Sequence, residues 1–355
     1  MPTVTSSSPE GGETRGSKAR VAHLMRWVRR LVPVVLIALI LDNIDLGELL
    51  DIARDVHGGW LFLGLVFMPS RVLAATLRWF VFLRSSFGSQ ARWGRTLRNY
   101  WAGVALGFFT PASAGLEVYR VIVASRGLGA PRMHVAIVSL EKVLALVGCA
   151  VTALAAVPLL PPLAVGPSEV VANLAWLAAA ALTVGAAIAL TARRAIGSRL
   201  VATIDRWAEA LLARVLPRLP SFSKPSAPGS TKPAIRSLLA LRPLGLAFGA
   251  SVAVQLAGAV GGQIMFRAVG YEIPFAVNVF VVPMLYVLFA LPISIGSIGI
   301  REGGYIVLYG LFGVPAEVAL LVSFLNLLGL GLNSLIGAAT IWIGGEGRNN
   351  CSAAK

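Results

Sequence analysis

Two short stretches of the chain carry the same residue types in the same order. Residues 108–120 read FFTPASAGLEVYR and residues 289–301 read FALPISIGSIGIR; each holds P-x-S-x-G with an arginine five positions on. The arginine is the chemically informative member, because a planar guanidinium binds phosphate or carboxylate oxygens bidentately and keeps its charge. Arg120 and Arg301 are therefore candidate anchors for a polar or anionic group. Glu117, one helical turn before Arg120, and Glu302, beside Arg301, are expected to hold the two guanidinium groups when nothing is bound. Ser113 and Ser294 are the expected local donors.

Other polar candidates lie within apolar segments. Arg71 and Arg78 are seven residues apart and fall on nearly one helix face; Arg78 is close enough to a segment end for its head to reach the inner headgroups instead. Glu141 and Lys142 are adjacent, so on a helix they diverge by about 100° and at most one faces a cavity squarely. Asn326 joins the candidate set. Gln255, Gln263, Asn278 and Asn333 read mainly as hydrogen bonds between helices.

The elements that must position these groups follow from composition. With 57% hydrophobic and 13% charged residues over 355 positions and a mean hydropathy of +0.78, the chain has too little polar surface for a water-soluble globule. Several windows reach the roughly 17–25 apolar residues that a bilayer-crossing helix needs. The net charge of +15 sits in segments flanking apolar runs, where it fixes orientation, and no nucleic-acid partner is expected. Cys149 and Cys351 form no C-x-x-C pair, and His23, His57 and His134 are isolated, so neither metal nor cofactor is expected.

Residues 1–20 read as a disordered cytoplasmic segment. A first transmembrane half occupies 21–195, a cytoplasmic amphipathic helix and basic linker 196–242, a second half 243–345, and a cytoplasmic tail 346–355. The acidic run 42–59 is expected outside. The loop bearing Arg84, Arg92, Arg95 and Arg98, and the basic region 193–242, are expected inside. This yields about six full spans: one following the basic leader, then 60–83, 133–160, 170–192, 244–266 and 318–343.

The two P-x-S-x-G stretches interrupt two further segments. Pro111 and Pro292 each remove a backbone donor, and Gly115, Gly296 and Gly299 loosen the chain around them. Broken backbone at membrane depth persists only where protein or a wet cavity satisfies it. The charge map brings the two broken segments in from opposite faces, as re-entrant or interrupted helical hairpins of an inverted-topology repeat. An arginine at the bilayer centre costs roughly 2.5–3.5 kcal/mol on insertion scales, so Arg120 and Arg301 are expected at a polar cavity. The plainer reading makes them structural ion pairs or interfacial residues.

With these stretches in view, the chain resembles the flippase-like family that includes the transmembrane region of lysylphosphatidylglycerol synthases. The resemblance rests on DNIDLGELL, LRWFVFL, TPASAGLEVYR, SLEKVLAL and LPISIGSIGIREGGY followed by GVPAE, and runs from about Arg20 to Gly345. Asn326 stands where family members often carry an arginine, and Lys142 where an arginine follows the glutamate. The resemblance implies translocation of a lipid with a polar or charged head group between the leaflets of a bacterial cytoplasmic membrane. The implied partners are a membrane phospholipid or lipid-linked substrate and enzymes of lipid biosynthesis. No soluble domain follows Gly345, so lysyl transfer is not expected. A membrane-embedded transferase and a lipid-binding accessory protein are the competing readings, and no nucleotide loop or catalytic constellation supports the former.

Overall fold

A computed structural model describes residues 44–110, 113–162, 238–289 and 299–353, with side chains up to residue 342. Among these the chain is helical and holds no strand. Short α1 (Leu46–Arg54) is capped by Asp45, whose carboxylate accepts from the Gly47 and Glu48 amides. Then α2 (Gly58–Phe67) and α3 (Pro69–Phe87) form one long rod with a joint at Met68, because Pro69, at the first position of α3, has no N–H to continue α2. The expected span over 60–83 therefore carries a joint that the hydropathy of the segment hides.

Next come α4 (Trp93–Phe108), α5 (Ala114–Leu128) and α6 (Pro131–Ala156). The second described block contains α7 (Leu241–Ala268), α8 (Phe275–Phe289), α9 (Ile300–Gly310) and α10 (Ala316–Ala353). Among the described residues, four segments are long and apolar enough to cross a membrane: Gly58–Gln90, Pro131–Leu159, Leu241–Ala268 and Ala316–Trp342. The other two expected spans, the amphipathic helix and the basic linker up to residue 237 lie outside the described residues.

The pairs α4–α5 and α8–α9 are helical hairpins. In the first, α4 stops at Phe108 and α5 starts at Ala114; Ser113, the N-cap of α5, lies in the left-handed region at φ 56°. Thr110 closes the turn: its Oγ1 accepts from Gly115 N–H at 2.8 Å and lies 3.2 Å from the Gly107 carbonyl it donates to. The arms then pack closely, with Leu116 over Gly103 and Gly107, and Arg95 near the start of α4 reaches Gly127 near the end of α5. The hairpin thus returns to the end where it began, which is also the end at which α3 stops. The second hairpin opens at the other end. Tyr271, just before α8, donates to the Gly313 carbonyl just after α9 (3.3 Å), and nearby His57 N–H, at the start of α2, donates to Ala268 O (2.8 Å).

Two apolar cores hold this arrangement. One gathers Trp79, Phe82, Met133, Ile137 and Leu144; the other gathers Met265, Phe266, Phe280, Tyr309 and Val322. Helix α10 closes against the first half by small residues, Gly329 against Met68 and Gly337 against the Trp101 carbonyl.

The first hairpin is tight enough to test by one methyl group. A β-carbon at Gly115 would come 2.6 Å from the Leu106 carbonyl oxygen and 2.9 Å from Thr110 Oγ1, so Gly115→Ala is expected to cost about 1–3 kcal/mol through overpacking and lower the unfolding midpoint in detergent. At Gly94, on the same hairpin, a β-carbon meets nothing within 4 Å, and Gly94→Ala is expected to leave that midpoint unchanged or raised.

Candidate functional site

The described arms of the two hairpins border a cavity of about 320 Å³, lined from α3 by Arg71, Ala75 and Arg78, from the first hairpin by Tyr100, Thr110, Ser113, Glu117 and Arg120, from α6 by Glu141 and Lys142, and by Arg301 and Tyr305 of α9. Asn326 and Asn333 of α10 and Tyr286 of α8 also contribute. Its wall draws on both cores, through Ala75, Tyr100 and Val254 on one side and Met68 and Tyr305 on the other.

Glu141 is the hub. Its side chain is only 1% exposed; Oε2 accepts from Arg120 Nη1 at 2.8 Å and Oε1 from Arg78 Nε at 3.3 Å. Arg78 Nη1 donates to Ser251 Oγ at 3.2 Å, and that hydroxyl donates to the Ala247 carbonyl at 2.9 Å. One carboxylate thus joins α3, α5 and α6, and the serine extends the network to α7. Arg120 is also flanked by rings, its Cζ lying 5.2 Å from the Trp79 centroid and 4.9 Å from that of Tyr100. Desolvated cation–π contacts of this kind are worth about 2 kcal/mol or more.

At the second tip, Arg301 donates to Glu302 Oε1 from Nη2 (2.8 Å) and Nε (3.1 Å), while Glu302 Oε2 accepts from Gly299 N–H (2.6 Å). The carboxylate therefore both neutralises Arg301 and caps α9. Gly299 has φ 81°, a conformation that favours glycine.

Several expectations change once the helices are packed. Glu117 pairs with Lys142 rather than with Arg120, because α5 and α6 face each other and Arg120 finds a more deeply buried carboxylate across the interface. Glu141 and Lys142 both line the cavity, since α6 meets it edge-on. Arg78 does not reach a headgroup region; its side chain is 8% exposed and held by Glu141. Ser113 makes no side-chain capping bond, and Thr110 does that instead. Asn326 Nδ2 donates to Val322 O on its own helix (2.9 Å), so it joins the cavity wall without tying two helices together.

Gln255, Gln263 and Asn278 do connect elements. Gln255 Nε2 donates to Cys149 Sγ, Asn278 Nδ2 to Gln263 Oε1, and Gln263 Nε2 to the Ile273 carbonyl. Pro111, Pro292, Ser294 and Gly296 lie outside the described residues. Sequence reasoning left Arg71, Tyr100, Trp79, Ser251 and Tyr305 out of the site. For Arg71 the signal was present, in its shared helix face with Arg78.

Fold and site together define a multi-pass helical membrane protein with a cavity lined by charged side chains. The chain belongs to the lysylphosphatidylglycerol synthase TM region family, which it matches over residues 26–328, most of its length. No curated protein and no solved structure matches it.

Proposed function

We propose that the chain is a lipid translocase of a bacterial cytoplasmic membrane, carrying the polar or charged head group of an amphiphile between leaflets through the cavity while the acyl chains stay in lipid. The observation that carries this reading is that the described arms of two hairpins, open at opposite ends of the α2–α3 rod, border one cavity lined by arginines. Hairpins that dip in from opposing faces are how inverted-repeat transporters build a midplane site. A head group crossing there sheds its water, and guanidinium groups in a low-dielectric cavity replace it with charge-assisted hydrogen bonds. Arg120 and Arg301 lead the set that binds it, with Arg78, Glu117, Glu141, Lys142, Asn326, Ser113, Ser294 and Glu302 setting its geometry. No bond in the lipid is made or broken. Family membership agrees with a lipid-related role.

Reconstitution tests this. Vesicles containing the purified full chain and head-group-labelled phospholipid are expected to exchange label between leaflets faster than protein-free vesicles. Arg120→Ala is expected to slow that exchange at least about tenfold, the loss of one charge-assisted contact. Glu141 retains Arg78 as its counter-charge, but the ring contacts of Arg120 are lost. Stability is therefore expected to fall by about 2 kcal/mol, and exchange is measured below the variant's unfolding midpoint. Exchange no faster than in protein-free vesicles overturns the reading, and recovery of chemically altered lipid points to a transferase instead.

A further inference from the structure

The charges of the cavity do not cancel. Arg301 is closed on Glu302 and Lys142 on Glu117. Arg78 and Arg120 share the single carboxylate of Glu141. The Arg71 side chain has no ion pair or hydrogen bond among the described residues, although it lines the same space. Among the described residues, five cations thus face three carboxylates, and two positive charges are left over. The undescribed hairpin tips do not alter this, for residues 111–112 and 290–298 contain no ionisable side chain.

The surplus has a definite place. The Arg71 guanidinium is pressed over Gly258 of α7, where a β-carbon would come within 3.2 Å of its Cζ and Nε. Tyr305 and Arg301 line the same cavity as Arg71. Arg71 and Arg78 lie two turns apart on α3, about 10 Å along the axis, a distance that two long side chains can close onto one anion. Arg120 Nε, deeply buried, is also without a partner among the described residues. A guanidinium without a counter-charge in a low-dielectric cavity is costly; Arg71 is half-buried and Arg120 buried, and a bound anion lowers that cost.

Resting on the translocase reading of this cavity, we infer that its substrate is a lipid whose head group carries two negative charges, a phosphomonoester, and that it disfavours an aminoacylated phosphatidylglycerol head. A phosphomonoester brings about −1.5 to −2 charge and three acceptor oxygens. A lysylated phosphatidylglycerol head brings one phosphodiester charge against two ammonium groups, which adds positive charge to a cavity that already has too much.

The test is equilibrium binding to the detergent-solubilised full chain of three lipids with identical acyl chains: phosphatidic acid, phosphatidylglycerol and lysylphosphatidylglycerol. Affinity is expected to fall in that order, by about tenfold at each step. Arg71→Gln leaves no carboxylate orphaned, so the variant is expected to fold normally and to bring the preference for phosphatidic acid over phosphatidylglycerol close to unity. Lysylphosphatidylglycerol binding as tightly as phosphatidic acid, or an unchanged preference in a folded Arg71→Gln variant, overturns the inference. So does inorganic phosphate binding as tightly as the lipid, which assigns the cavity to a soluble anion. Leaflet exchange of the same three lipids separates the two readings. The expected binding order without any exchange sinks the translocase while leaving the charge preference standing, and exchange fastest for lysylphosphatidylglycerol does the reverse.

Discussion

Glu141→Gln is expected to destabilise the protein by about 3–5 kcal/mol, the usual consequence of removing one partner from a buried ion pair. The effect is large because one carboxylate answers two guanidinium groups, Arg120 at 2.8 Å and Arg78 at 3.3 Å, with every member nearly sealed from solvent. Glutamine preserves the shape, but its neutral amide leaves two like charges facing each other in a low dielectric. Ser251 still accepts from Arg78 and the rings of Trp79 and Tyr100 still flank Arg120, yet neither supplies a negative charge. Thermal unfolding in detergent is the measurement. The double variant Arg120→Gln with Glu141→Gln should recover part of the loss, since only Arg78 then lacks a counter-charge. A midpoint unchanged by Glu141→Gln would mean that water reaches both arginines and that the hub does not exist.

Why Glu141 was not assigned this part from sequence alone is instructive. Periodicity relates residues on one helix, so Glu117 and Arg120, three apart, look like natural partners. The interface between α5 and α6 decides otherwise, and a pairing between residues 21 positions apart leaves no trace in local spacing. Glu302 shows the contrast. Its partners, Arg301 and the Gly299 amide, are both within three residues, and the pair with Arg301 was legible.

The same division runs through the fold. Hydropathy and the alternation of basic and acidic loops mark the spans, because insertion into a bilayer is a property of segments. The joint at Met68 is not marked, because the residues on both sides of it are apolar and only the missing donor of Pro69 breaks the ladder. Arg71 was placed on the right helix face, but its standing as the cation without a carboxylate emerges only after every other charge in the cavity has been paired.

The helix ends that flank the two hairpin tips are secured by different means. At the first, Thr110 caps α5 and the charges are tied across helices, so that tip is coupled to the packing of α3 and α6. At the second, one side chain does both tasks within a single turn of α9. This asymmetry makes the second tip the more local device, and its removal the more selective perturbation.

Glu302→Ala is accordingly expected to have the second large effect. It deletes the acceptor for the Gly299 amide, worth about 0.5–2 kcal/mol as a helix cap, and leaves Arg301, whose side chain is 5% exposed, without its carboxylate, for a further loss of about 3–5 kcal/mol. Glu302→Gln retains an oxygen for the cap while removing the charge, so the difference between the two variants measures the cap and the remainder measures the ion pair. Hydrogen exchange at the Gly299 amide gives a readout that bulk stability does not: protection there should fall sharply in Glu302→Ala and partly persist in Glu302→Gln. Adding Arg301→Gln to Glu302→Gln should restore stability while leaving leaflet exchange impaired, because the guanidinium that binds the head group is gone. Equal protection of Gly299 in all three proteins would show that the 2.6 Å contact does not hold the tip, and the start of α9 would then need another anchor.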